Sequence, residues 1–118
     1  MKRMTIAIAC LLVATLLLGC GVAAQTAPGE DLATAKGCLA CHAIDATEKV
    51  GPTWVGLAGS QVELDDGTTL IADDAYLKES ILEPNAKIVA GYSSYMMPAI
   101  PSSDQELDSL LAFIKSVK

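Results

Sequence analysis

Cys38-Leu39-Ala40-Cys41-His42 is the stretch that decides how this chain is read. Two thiols three positions apart, followed at once by an imidazole, form C-x-x-C-H, the attachment sequence for c-type haem. Thiols at that spacing can add to the two vinyl groups of a haem, which leaves the adjacent imidazole under the iron as proximal ligand. His42 is the only histidine in the chain, so nothing competes with it for that position. A thioredoxin-like redox pair or half of a zinc site would use the same two cysteines. The first needs a β-α-β setting that the flanking sequence lacks, and the second needs further ligands that are missing. The motif therefore predicts one covalently bound haem c, attached at Cys38 and Cys41 and ligated by His42.

Upstream, Glu30 to Lys36 reads as a short helix, with acids in its first turn and a lysine in its last to match the helix dipole. Gly37 is placed to stop it just before the motif. Gln25 to Gly29 reads as a linker. Residues 1–24 have the pattern of an export signal: Lys2 and Arg3, an apolar run from Ile6 to Leu18, then small residues. That run is shorter than the roughly 20 residues expected of a membrane-spanning helix. Leu17-Leu18-Gly19-Cys20 resembles a bacterial lipobox, which would cleave the chain before Cys20 and lipidate that cysteine. Val22-Ala23-Ala24 offers ordinary cleavage after Ala24 instead, and an uncleaved anchor is a third possibility. Each of these places the domain outside the cytoplasm, in the periplasm or on the outer face of the cytoplasmic membrane. The lipid reading tethers it there.

Downstream, Val50 to Ser60 is broken by Gly51, Pro52, Gly56 and Gly59 and reads as irregular. Gln61–Leu64 and Thr68–Ala72 flank Asp65-Asp66-Gly67, a strong hairpin signal. Asp73 or Asp74 can cap a helix from about Ala75 to Glu83, which Pro84 ends. Asn85 to Pro101 reads as loop. Ser103 and Glu106 form a capping box, and Leu107, Leu110, Leu111, Ile114 and Val117 then recur at helical spacing. Helices at both ends of an irregular middle predict a small all-α protein with a short β-hairpin insertion. Residues 25–118 are few to build a core from, and a bound haem would supply much of the buried apolar surface.

A second axial ligand must come from elsewhere in the chain. Bis-histidine ligation is excluded within it, and Met1 and Met4 belong to the signal. Met96 and Met97 remain, adjacent to each other in the loop before the last helix. A methionine in a small domain usually packs in the core. Two in succession before Pro98, in a loop, point to ligation instead. Of the two, Met97 directly precedes the proline.

The balance of charge excludes other roles. The chain has 8 basic and 14 acidic residues. Without Lys2 and Arg3 the balance is 6 against 14, or −8. Nucleic acid is not an expected partner, because phosphate binding needs basic surface. Cys10 lies in the signal core and Cys20 is the lipid candidate, so no cysteine is left for a structural disulfide. No acid–base pair or activated nucleophile stands out, so no enzymatic role is expected.

The wider pattern is Gly37-Cys38-x-x-Cys41-His42, Val50-Gly51-Pro52-Thr53-Trp54-x-Gly56-Leu57, Asp66-Gly67-Thr68 and Asp73-x-Ala75-Tyr76-Leu77-x-Glu79-Ser80-Ile81. It continues as Pro84-Asn85-Ala86-Lys87-Ile88-Val89-x-Gly91-Tyr92 and Met97-Pro98. In order and spacing this closely resembles the class I cytochrome c domain at the C-terminus of subunit II in some bacterial haem–copper oxidases. The oxidase subunit's transmembrane helices and dinuclear copper motif are absent from this chain. The resemblance implies a class I cytochrome c fold over residues 30–118, with Cys38 and Cys41 as thioether sites, His42 proximal and Met97 distal. It also implies that the Pro52 carbonyl accepts the Nδ1–H of His42, and that the Trp54 indole lies near the haem periphery, within reach of a propionate. Tyr76 and Tyr92 read as packing residues.

The function so implied is a mono-haem cytochrome that moves single electrons in a respiratory chain. It would accept them from a quinol-oxidising complex or another cytochrome and donate them to a terminal oxidase. The alternatives are a haem subunit held permanently in a larger oxidase, reductase or dehydrogenase complex, and a haem sensor with an open distal site. Lys36, Lys49 and Lys87, in or near the segments that frame the haem edge, are the candidates for steering a partner.

Overall fold

The structure, a computed structural model, describes residues 28–93 and 95–118. The export-signal residues and residues 25–27 of the linker lie outside the described residues. The first helix, α1, spans Gly29–Ala35 and so takes in the last linker residue. A Cβ on Gly29 would overlap the Ser109 carbonyl oxygen and the Phe113 Cβ, so glycine is what lets α1 approach the C-terminal helix closely. Gly37, at φ 78°, turns the chain after α1. A single helical turn, α2 (Cys38–Cys41), follows at once.

Strands β1 (Gln61–Glu63) and β2 (Thr69–Ile71) pair antiparallel, with Val62 opposite Leu70. Gly67 N donates to Leu64 O at 3.0 Å and Leu64 N to Thr68 O at 2.8 Å. With Gly67 at φ 82° and no other positive φ in the turn, this is a type I turn closed by a glycine bulge. Helix α3 spans Asp74–Leu82, and its N-cap Asp73 accepts from Tyr76 N at 2.8 Å. Helix α4 spans Asp104–Ser116, and both arms of the Ser103/Glu106 capping box are present.

One face of each element is buried in a common core. Ala33 of α1, Val62 and Leu64 of the hairpin, Tyr76, Leu77 and Ile81 of α3, and Leu107, Leu110, Leu111 and Ile114 of α4 belong to it. Helix α4 packs against both α1 and α3. No described residue in the core is polar or charged. Among the described residues, no helix is long and apolar enough to cross a membrane.

The segment 85–101 is not free loop throughout. Asp65 N donates to Ile88 O and Ala90 N to Glu63 O, each at 2.9 Å, so Leu64 and Val89 form an antiparallel bridge. At the other end, Ile100 N donates to Ile81 O at 3.1 Å. The two methionines lie between these attachments.

Candidate functional site

The core opens into an apolar cleft whose space, with its mouth, is about 1040 Å³. Cys41, His42, Gly51, Pro52 and Trp54 line it, as do Tyr92, Tyr95, Met96 and Met97 of the loop before α4. Residues of α3 and the bridged segment around Ile88 and Val89 complete it.

The His42 ring is fixed from two sides. Its Nδ1 lies 2.7 Å from the Pro52 carbonyl oxygen. A carbonyl only accepts, so Nδ1 carries the proton and Nε2 keeps a free lone pair, as a metal-ligating imidazole requires. Gly51 lies against the ring, and a Cβ there would be 2.9 Å from His42 Cε1 and 3.1 Å from Nδ1. Gly51 N also donates to Cys41 O at 2.9 Å, which ties the Gly51-Pro52 segment to the end of α2. Burial lowers the His42 pKa, partly opposed by the bond to Pro52, while Lys49 lowers it further. The net effect keeps the ring neutral at pH 7, the form that binds a metal.

Cys38 and Cys41 lie three residues apart on one helical turn, so they share a face. Cys38 is buried within the core and Cys41 is exposed at the cleft. Burial raises the Cys38 pKa, so the thiol form persists until it is modified. Trp54 is buried and stacks on His42, with ring centroids 5.1 Å apart and 18° between planes. Its other contact is edge-on to Phe113 of α4. The indole is thus a packing partner of the imidazole, and its N–H has no hydrogen-bond partner among the described residues. The two methionines differ in burial: Met97 is half-buried, whereas Met96 is 79 % exposed.

The three rim lysines are already engaged. Lys36 Nζ pairs with Glu106 at 3.0 Å and donates to Pro101 O at 2.9 Å. Lys87 pairs with Glu79, and Lys49 donates to Leu39 O. Carboxylates therefore offset the charges of Lys36 and Lys87, whereas Lys49 keeps its positive charge at the rim. Gly51 and the bridge through Val89 are the features whose roles the sequence left unread. The first is marked only by a glycine before Pro52, and the second carries no local signal at all.

An apolar cleft lined by a tethered neutral imidazole, a thiol and two thioethers suits an iron porphyrin. Large apolar area meets the ring, and soft and borderline donors are available for the iron. The class so defined is the haem protein with a class I cytochrome c fold. The model of the family described as Cytochrome c matches residues 26–118, and the chain belongs to that family. No curated protein matches the chain. Among solved structures, cytochrome cH from Methylobacterium extorquens is similar, with a TM-score of 0.57 and 26 % sequence identity over 75 % of this chain and 95 % of that one. The chain is a c-type cytochrome with one covalently bound haem c and an electron-transfer role, exercised with redox protein partners.

Proposed function

We propose that Cys38 and Cys41 form the two thioether links, that His42 Nε2 is the proximal ligand and that Met97 is the distal one. The observation that carries this reading is the Nδ1–H of His42 held on the Pro52 carbonyl at 2.7 Å, at the wall of a cleft that Met97 also lines. Partial burial favours Met97 over Met96, since a side chain 79 % exposed gains little from the cleft. Thioether ligation favours ferrous iron and raises the reduction potential, which suits a one-electron carrier. Within this assignment, Pro52 fixes the proximal ring and Trp54 packs against it. Apolar walls from α3 exclude water, so the protein reorganises little when an electron arrives.

The domain would work outside the cytoplasm, in the periplasm or on the outer face of the cytoplasmic membrane, tethered through a lipid on Cys20. It would carry electrons in a respiratory chain, from a quinol-oxidising complex or another cytochrome to a terminal oxidase. The pattern shared with oxidase subunit II supports that destination. The ligand assignment is tested in the ferric protein through the long-wavelength sulfur-to-iron charge-transfer band. Met97→Ala should abolish the band and Met96→Ala should keep it. The opposite pattern would move the ligand to Met96.

A further inference from the structure

The β1–β2 hairpin contributes no residue to the cleft, yet it is bonded to the loop that does. We propose that it is a positioning device for the distal methionine, acting through two backbone hydrogen bonds. Asp65 N donates to Ile88 O and Ala90 N to Glu63 O, each at 2.9 Å. Ile88 and Val89 line the cleft, and Met97 follows a few residues on. Three-residue strands are marginal by themselves. This pair is secured because Val62 and Leu64 are both buried in the core. Leu64 is the hinge of the arrangement. Its side chain enters the core, its backbone closes the hairpin on Thr68, and its neighbours on either side bond to the methionine loop. The far end of the loop is held separately, by Ile100 N on Ile81 O at the end of α3.

The hairpin thus sets how often the methionine loop leaves the cleft, although none of its own residues lines that cleft. The proposal rests on the distal-methionine reading above. Any small ligand that competes for the distal position binds only when the loop is out. Its apparent affinity therefore reports the fraction of protein in that state.

Asp65→Pro isolates one of the two bonds. Asp65 is the second residue of a type I turn, the position where proline is favoured, and Leu64 before it is extended, as a residue before proline prefers. The substitution removes the N–H that reaches Ile88 and leaves the turn intact. Asp65→Asn removes the same charge but keeps the N–H. The experiment uses the full-length haem-loaded ferric protein, titrated with imidazole, with loss of the sulfur-to-iron charge-transfer band as the readout. Losing one net hydrogen bond should tighten imidazole binding about fivefold in Asp65→Pro, with Asp65→Asn close to wild type. Should Asp65→Pro fail to accumulate, Leu64→Ala is compared with Leu110→Ala, a core leucine of α4 that does not line the cleft. The former should bind imidazole more tightly than the latter at matched stability. Equal affinities in the proline and asparagine variants, or in the two alanine variants, would overturn the proposal. A wild-type protein without the band would overturn the methionine reading itself and this proposal with it.

Discussion

Replacing Gly51 by alanine tests the proximal side in one atom. The new methyl carbon would lie 2.9 Å from His42 Cε1, 3.0 Å from Cys41 O and 3.1 Å from His42 Nδ1. Carbon contacts are most favourable at about 3.5–4.0 Å, so the ring must retreat by roughly half an ångström or more. The backbone cannot readily yield, because Gly51 N is bonded to Cys41 O at 2.9 Å. The imidazole moves instead, and its 2.7 Å bond to Pro52 O lengthens. Overpacking of this kind costs about 1–3 kcal/mol, and in a domain of this size each kcal/mol lowers Tm by about 4–8 °C. A weakened Nδ1–H bond makes the imidazole a poorer donor, which disfavours ferric iron and raises the midpoint potential. Thermal unfolding of the haem-loaded protein, paired with a potentiometric titration, reads both effects. Leu110→Ala is the control, since Leu110 is a core residue of α4 that does not line the cleft; it should lower Tm and leave the potential unchanged. Gly51→Ala with wild-type Tm and potential would refute the reasoning about the proximal contact.

Two further outcomes follow from charge. Glu106 is held below its ordinary pKa of 4.5, first by the Ser103 backbone N–H and then by Lys36. Its contribution is therefore full above pH 4.5 and is lost as pH falls through the lower folded value. Thermal unfolding across an acid series should show Glu106→Gln falling less steeply than wild type, and parallel curves would argue against the capping role. Of the 14 carboxylates, four are in ion pairs with lysines among the described residues, and ten have no such partner there. Oxidation of the reduced protein by a cationic cobalt(III) complex should consequently slow with added salt, and oxidation by hexacyanoferrate(III) should quicken. The reverse salt dependence in stopped flow would mean that the lysines govern docking after all.

Much of the architecture was legible because its signals are local. The Ser103/Glu106 box and the spacing of Leu107 to Ile114 define α4 within one stretch of sequence. Asp65-Asp66-Gly67 defines the hairpin in the same way, and Asp73, one of the two candidate caps, is the one that caps α3. What escaped the sequence depends on partners distant in the chain. Gly29 looks like linker until α4 is laid across it, because its role lies in a Cβ it lacks. The Leu64–Val89 bridge joins residues whose own flanks are turn-like, so no alternation announces a strand. Trp54 stacks on His42, a contact between residues 12 apart in the chain that no local pattern announces. The lysines had the right positions for a docking rim, but their engagement with Glu106, Glu79 and the Leu39 carbonyl is a property of the folded surface. At the site itself, the spacing of Cys38, Cys41 and His42 is a local signal for haem attachment, and Met97 is set apart from Met96 in sequence by the proline after it and in the fold by its partial burial.

The central claim is that one haem is bound through both cysteines of the Cys38–His42 segment. Mass spectrometry of the protein purified from its native host addresses it most directly, on the intact chain and on its proteolytic peptides. The account predicts an intact mass carrying one haem and a single haem-bearing peptide that contains Cys38, Cys41 and His42 with neither thiol free to alkylate. It also predicts a mature N-terminus at a diacylglyceryl-modified Cys20, where Gln25 would show ordinary signal cleavage. An unmodified Cys38–His42 peptide from the purified, spectrally intact protein, with both thiols alkylated, would contradict it.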